Sequence, residues 1–132
     1  MELFAGKEGL TRAVASLGVP CGEGTELSKG PEYDLLDPGT RQYIIGLIQR
    51  GQILCVWLGT PCSAFSIARR GVRNLEAARE KDLLGAQHAW FSSEVIRECL
   101  KSYVAFVLEN HIASLGLRAD HIIFIRLTYL CC

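Results

Sequence analysis

The sequence predicts an α/β domain built on a mostly parallel β-sheet of about five strands, with helices on both faces. Three observations predict this class. Short apolar segments alternate with helical patterns, the segments 53–58 and 103–108 are continuously apolar, and the links between elements are short. A continuously apolar strand is typical of a parallel sheet covered on both faces. Alternating strands and helices with short links imply right-handed crossovers.

The first part of the chain predicts a strand, a helix and a second strand. Residues 1–5 form a short apolar strand, and glycines at positions 6 and 9 make a turn after it. A helix follows, because four apolar residues recur at helical spacing: Leu10, Ala13, Val14 and Leu17. The segment Gly-Val-Pro at 18–20 ends this helix. A second strand is predicted within 19–27, although its proline and two glycines are unusual in strands.

The middle and last parts predict a strand, a helix, a strand, a helix and a strand. A brief third strand at 33–36 leads to Asp37 and Pro38, which are typical of a helix N-cap and first helical position. This helix runs to Arg50 and stops at Gly51. The last three elements are the strand 53–58, a long helix over about 74–101, and the strand 103–108.

Length, composition and charge restrict the function. The 132 residues fit one domain, and 49% apolar against 21% charged residues argues against intrinsic disorder. Fourteen basic and fourteen acidic residues give a formal net charge of +0. That balance excludes a nucleic-acid binder that works through bulk charge, so any contact with nucleic acid must come from a local patch.

Cysteine usage and the absence of a signal peptide predict an intracellular protein with reduced thiols. Cys55 and Cys99 lie in apolar stretches and are predicted as buried thiols. No two cysteines have zinc-site spacing, and His111 and His121 lack partners, so no metal site is predicted. No apolar run approaches the ~20 residues that span a membrane; a prenylated Cys-Cys terminus is an alternative. The oligomeric state stays open.

Ligands of parallel α/β sheets bind beyond the carboxyl ends of the strands, so the residues that follow each strand are candidates. After the first strand, Gly6 and Gly9 let the backbone approach a ligand, or serve only a tight turn. Glu26, about twenty residues further on, is a candidate acceptor for ribose hydroxyls, or an ordinary exposed glutamate. Asp34 is the candidate at the third strand end, because Asp37 is more simply explained as the helix N-cap.

The fourth and fifth strand ends carry residues suited to covalent and acid–base chemistry. Cys62 follows Pro61 after the strand 53–58, close to Arg69 and Arg70. Such surroundings lower the pKa of a thiol and favour a nucleophile; a structural cysteine is the alternative. Glu109 follows the last strand and suits a general acid, or is an ordinary strand-end glutamate.

Three motifs together resemble the cytosine-C5 DNA methyltransferases. Glu-Leu-Phe-Ala-Gly at 2–6 with Gly-Leu-Thr at 9–11 is similar to the S-adenosylmethionine loop of that family. Thr-Pro-Cys-Ser-Ala-Phe-Ser at 60–66 resembles its Pro-Pro-Cys-Gln-x-Phe-Ser catalytic loop, and Glu-Asn at 109–110 resembles its Glu-Asn-Val motif. The motifs occur in the family's order over residues 2–110, each after a predicted strand. The three motifs in this order are more specific for the family than any one motif by itself.

The resemblance implies a Rossmann-like methyltransferase sheet, present in part, and the cofactor S-adenosylmethionine. Phe4, Ala5, Gly6 and Gly9 would line the amino-acid end of the cofactor. Glu26 would bind the ribose and Asp34 the adenine amino group, while Pro61 would shape the catalytic loop.

The resemblance also implies a reaction on DNA. Cys62 would add to C6 of a cytosine flipped out of the duplex, and Glu109 would bond to or protonate the ring nitrogen, so that C5 attacks the methyl group. The basic residues Arg69, Arg70 and Arg73 would contact DNA phosphates, or form a solvated basic loop.

Departures from the family pattern limit the prediction. Lys7 and Glu8 replace a small, glycine-rich pair, Thr60 and Ser63 replace a proline and a glutamine, and His111 follows the Glu-Asn pair. Residues 1–110 are predicted as the methyltransferase-like domain and 111–132 as an atypical tail, such as a truncated or mis-spliced frame would encode. With no target-recognition motif after 113, the chain alone is expected to methylate DNA weakly or not at all.

Two other functions remain open from the sequence. The first is a non-catalytic methyltransferase-fold remnant or interaction module. The second is an α/β nucleotide-binding domain of another kind, in which Cys62 is structural.

Overall fold

The computed structural model describes residues 1–61 and 75–109, and every structural statement below concerns them. Their elements are, in chain order, β1 (Glu2–Leu3), α1 (Gly9–Ser16), two 3-10 helices (Leu27–Lys29 and Pro31–Tyr33), α2 (Pro38–Gln49), β2 (Cys55–Leu58), α3 (Leu75–Lys101) and β3 (Ala105–Leu108). The α/β class and the parallel sheet are confirmed.

The strands form one sheet in the order β1-β2-β3, with both pairs parallel. Leu3 is paired with Leu58, and Val56 with Phe106. On its other edge Leu3 forms a single parallel bridge to Thr25. The described residues therefore contain three strands, and the prediction of about five was too high.

The two missing strands have local causes. Within 19–27, which contains a proline and two glycines, only Thr25 pairs with β1. The predicted strand at 33–36 is replaced by the 3-10 helix Pro31–Tyr33 and a turn. The proline at the start of that helix fixes φ near its helical value, and the Asp34 carboxylate accepts a hydrogen bond from the backbone N–H of Leu36 at 2.8 Å, which closes an Asx turn.

α2 begins and ends where the sequence predicts. The Asp37 carboxylate accepts a hydrogen bond from the backbone N–H of Thr40 at 2.8 Å and caps the helix, with Pro38 at its first position. Gly51 has a φ of 66° and terminates the helix, because its N–H binds the carbonyl oxygen of Ile48.

One face of the sheet packs against α2 and α3. Side chains alternate between the two faces of a strand, and the face that carries Leu3, Val56 and Leu58 joins a single apolar cluster. The helical members of that cluster are Ile44, Ile48, Phe91, Val95 and Cys99. This cluster is the core that holds the strand ends in place.

The two cysteines predicted as buried behave differently. Cys99 is fully buried in the cluster, and burial raises the pKa of its thiol to about 12. The Cys55 side chain is exposed, so that half of the prediction was wrong. Cys55 lies on the face opposite Val56, because adjacent residues of a strand point to opposite faces.

The opposite face of the sheet buries a carboxylate. Glu2 is only 8% exposed, and its Oε2 accepts hydrogen bonds from both the backbone N–H and the hydroxyl of Thr11, at 2.8 and 2.6 Å. Thr11 lies in the first turn of α1, where a negative charge is favoured by the helix dipole. Glu2 therefore joins β1 to the start of α1.

Replacing Glu2 with glutamine should lower the free energy of unfolding by about 1–3 kcal/mol, because two charge-assisted hydrogen bonds in a buried site are weakened. Urea denaturation measures the change. Glu80→Gln on α3, which removes an exposed carboxylate, serves as the control and should change stability by less than about 0.5 kcal/mol. Equal effects of the two substitutions would contradict the role of Glu2.

Candidate functional site

The carboxyl ends of β1, β2 and β3 lie at one edge of the sheet, because all three strands are parallel. Thr25, which comes next along the chain in pairing with β1, lies on one side of β1, and β2 lies on the other side. The strand order thus reverses at β1. In open α/β sheets such a reversal opens a crevice beyond the strand ends, and ligands bind there.

The loop after β1 has a strained backbone. Phe4, Gly6 and Glu8 all have positive φ angles, of 58°, 52° and 55°. In the part of the chain that the structure describes, one further non-glycine residue has a left-handed φ. Gly6 adopts this conformation without strain, whereas for Phe4 and Glu8 it costs about 1–3 kcal/mol each, and such strain is concentrated at functional sites. Ala5 is buried beneath this loop and Gly9 opens α1, so the residues predicted to line a cofactor surround the end of β1.

Glu26 contacts the loop after β1 directly. Its Oε2 accepts a hydrogen bond from the backbone N–H of Gly6 at 2.9 Å, across twenty residues of sequence. Within the described part of the chain, Oε1 of Glu26 accepts no hydrogen bond. The structure therefore brings two of the predicted site residues together and leaves one carboxylate oxygen for a ligand.

Asp34 is half-buried, and one of its oxygens is engaged in the turn that replaces the predicted third strand. It still lies near the site, because its charge acts on His88 of α3. The prediction that Asp34 ends a strand was wrong.

The Lys7-Glu8 departure from the family pattern has a structural consequence. The Glu8 carboxylate accepts hydrogen bonds from the backbone N–H of Gly24, at 3.0 Å, and from the Lys29 ammonium. Lys29 also binds Glu23, which in turn accepts the Tyr33 hydroxyl at 3.0 Å. The hydrogen bond from Lys29 is the main cause that lowers the pKa of Glu8 and that of Glu23. This charged cluster fastens the segment that carries Glu26 to the loop after β1.

The loop after β2 runs close beside the loop after β1. The N–H of Gly59 binds the carbonyl oxygen of Leu3, and a Cβ on Gly59 would stand 3.1 Å from the carbonyl oxygen of Phe4. Thr60, which replaces the family's proline, shares a hydrogen bond of 2.7 Å with the hydroxyl of the buried Ser92 on α3. α3 therefore holds the start of the predicted catalytic loop.

Pro61 ends the first described range and is half-buried. The predicted nucleophile and the predicted basic DNA contacts lie outside the described residues: Cys62, Arg69, Arg70 and Arg73.

Glu109 follows β3 and is exposed at the same edge of the sheet. Its Oε2 accepts a hydrogen bond from the indole N–H of Trp57 at 3.1 Å. Trp57 is paired with Val107, and Glu109 stands two residues further along the same face. The indole thus orients the carboxylate and leaves Oε1 available.

His88 is the site residue that the sequence reasoning missed. Its ring contacts the ring of Phe4 edge-on, with centroids 5.2 Å apart. Ser92, one turn later on α3, donates a hydrogen bond to the carbonyl oxygen of His88 at 2.9 Å. One histidine within a helical pattern gives no signal of this position, since the spacing does not show which loop the helix will meet.

A separate groove of about 770 Å³ lies at the amino ends of β1 and β2. Met1, Thr25, Tyr43 and Cys55 are among the residues that line it, and none of the predicted site residues does. This groove is not the predicted cofactor site.

The described ranges 1–61 and 75–109 contain no cluster of three potential metal ligands and no helix long and apolar enough to cross a membrane. Comparisons with protein-family models, with curated proteins and with solved structures found no match. Any functional assignment therefore depends on the motifs of this chain and on the geometry around them.

Proposed function

We propose that this chain binds S-adenosylmethionine at the carboxyl edge of its parallel sheet and belongs to a methyl-transfer system on cytosine like that of the cytosine-C5 DNA methyltransferases it resembles. The observation that carries the proposal is the hydrogen bond between the Gly6 N–H and the Glu26 carboxylate. It joins the glycine-bearing loop after β1 to the predicted ribose acceptor at the point where the strand order reverses.

The doubly wound architecture of the resembled family supports the proposal. Glu2 meets α1 on one face of the sheet, while Leu3 faces the cluster that contains α2 and α3. Because neighbouring residues of β1 point to opposite faces, α1 meets the sheet on the face opposite the one that packs against α2 and α3. The order Thr25, β1, β2, β3 is compatible with a partial Rossmann-like sheet.

The residues present fit a nucleoside ligand with an amino-acid tail. Phe4 and His88 supply aromatic surface, and Glu26 presents a free carboxylate oxygen, which suits a ribose hydroxyl. The exposed loop glycines, Gly6 and Gly9, leave open space, since a Cβ at either position would meet no atom within 4 Å. A bulky tail can therefore approach the backbone there.

For the chemistry, the roles follow the resemblance. Cys62 would form a bond to C6 of the cytosine, and Glu109, oriented by Trp57, would bond to or protonate the ring nitrogen so that C6 accepts the thiolate. When bound, S-adenosylmethionine supplies the methyl group that C5 takes up. Loss of the C5 proton and elimination of Cys62 would then restore the ring and the free thiol.

DNA is the proposed partner of the catalytic loop. Arg69, Arg70 and Arg73 follow Cys62 within eleven positions and suit phosphate contacts. Their charge is local, which agrees with the overall net charge of +0.

A non-catalytic remnant of the same fold is the second candidate. The observation that favours it is the charged cluster of Glu8 and Lys29, which fills the side of the loop where the family has small residues. In a remnant, the Gly6–Glu26 hydrogen bond and this cluster would serve stability alone.

Competition between ligands tests the proposed function. Equilibrium dialysis of the purified chain with labelled S-adenosylmethionine should show saturable binding that S-adenosylhomocysteine displaces, and that ATP and NAD do not displace. Displacement by ATP or NAD would instead indicate a nucleotide-binding domain of another kind. A folded chain that binds none of the four would favour the remnant.

A further inference from the structure

His88 contacts one predicted cofactor residue and lies within electrostatic range of two others. It contacts the ring of Phe4 at 5.2 Å, and the charges of Glu26 and Asp34 act on it. Ser92, one turn along α3, donates to the carbonyl oxygen of His88 and also bonds to Thr60 in the loop after β2. This turn of α3 therefore touches both loops that border the crevice.

We infer that His88 is a further ligand-binding residue, which lines the crevice beside the loop after β1 and makes the site discriminate between cationic and neutral ligands according to pH. The inference rests on the proposed function. Phe4, beside which His88 lies, is within the loop assigned to the cofactor. A ligand seated against that loop would therefore stand within a few ångströms of the imidazole.

The groups around His88 set its charge. Burial lowers the pKa of His88 below its usual value, which favours the neutral ring over the imidazolium. The charged groups that face it are Glu26 and Asp34, which favour the imidazolium, and Arg41 of α2, which opposes it. Below the pKa, a positive charge is added beside the two carboxylates of the site.

The consequence differs between two ligands of nearly the same shape. S-adenosylmethionine carries a sulfonium charge that S-adenosylhomocysteine lacks, so an imidazolium repels the first more than the second. Two unit charges about 8 Å apart at an effective dielectric constant of about 40 give an affinity change of about fivefold. The two ligands share their other titratable groups. Protonation of those groups therefore changes both dissociation constants alike and leaves their ratio unchanged.

The experiment measures that ratio by calorimetric titration at about pH 8 and about pH 5. For the natural chain, the dissociation constant of S-adenosylmethionine relative to that of S-adenosylhomocysteine should rise on acidification, with a limit of about fivefold once the imidazole is fully protonated. His88→Gln should hold the ratio constant. Gln87→Ala, which removes an exposed neighbour on the same helix, should keep the natural profile.

Each outcome decides one of the two proposals. A natural chain that binds neither ligand at the higher pH overturns the proposed function and this inference with it. If the natural chain binds and His88→Gln has the same affinity and the same pH profile, the role of His88 alone is overturned. A folded His88→Gln variant that loses affinity for both ligands at the higher pH supports the contact.

Discussion

Replacing Phe91 with alanine is expected to lower the free energy of unfolding by about 3–5 kcal/mol. Phe91 is fully buried and is the largest such side chain in the described part of the chain. It packs in the cluster between α2, α3 and the sheet, and the Arg41 guanidinium lies over its ring at 5.0 Å. Alanine would leave a cavity and remove the cation–π contact. This loss is a large part of the about 5–15 kcal/mol by which a domain is stable.

Urea denaturation followed by circular dichroism measures this loss. Trp90→Ala is the matched control, because Trp90 is the preceding residue of α3 and is 68% exposed. It removes a larger ring and should cost less than about 1 kcal/mol. A Trp90 variant as unstable as the Phe91 variant would mean that α3 presents a different face to the sheet.

Replacing Glu26 with glutamine is expected to weaken the binding of S-adenosylmethionine by about tenfold or more. Glutamine keeps an oxygen that can accept the Gly6 N–H, so the loop should retain its conformation. The second oxygen becomes an NH₂ group, which can only donate a hydrogen bond, whereas a ribose hydroxyl that donates there needs an acceptor. The negative charge is also lost. A hydrogen bond to a charged group contributes about 1.5–3 kcal/mol, and about 1.4 kcal/mol corresponds to tenfold.

Glu32→Gln is the control for Glu26, because it removes an exposed carboxylate six residues away without touching the Gly6 hydrogen bond. The affinity of this variant for S-adenosylmethionine should stay within about twofold of that of the natural chain, which is the spread expected for a neutral surface substitution. If both variants bind as the natural chain does, Glu26 has only a structural role.

Much of the fold was predictable because local chemistry determines it. α2 begins at the Asp37-Pro38 cap and ends before Gly51, and both signals act within one turn of the helix. The strands β2 and β3 lie inside the predicted apolar runs, since a continuous apolar run suits a strand that is covered on both faces.

The segment between α1 and α2 was predicted less well, because local turn-forming residues and one long-range ion pair both determine its conformation. The predicted strand at 33–36 has apolar residues, but Pro31 and the Asp34 carboxylate turn the backbone instead. Lys29 and Glu8 are twenty-one residues apart and hold this segment by an ion pair. A pattern of apolar residues carries no information about such a pair.

In the candidate site too, some residues were predicted from the sequence and others were not. The spacing between the glycine loop and Glu26 predicted two residues of one crevice, and the structure places them in contact. His88 and Ser92 stayed unpredicted, because their role depends on which face of a 27-residue helix meets the two loops. That face is set by the buried ridge of Phe91 and Val95 and by the register of the whole sheet.

The most direct test of the central claim, that the carboxyl edge of the sheet binds S-adenosylmethionine, is a calorimetric titration of three chains. They are the natural chain, Gly6→Val and Gly18→Val. Both glycines have a positive φ and open space around them, so the two variants carry a similar backbone strain at opposite ends of α1. Binding should be retained in the natural chain and in Gly18→Val, and lost in Gly6→Val. Equal affinity in the two variants, or no binding by a folded natural chain, would contradict the claim.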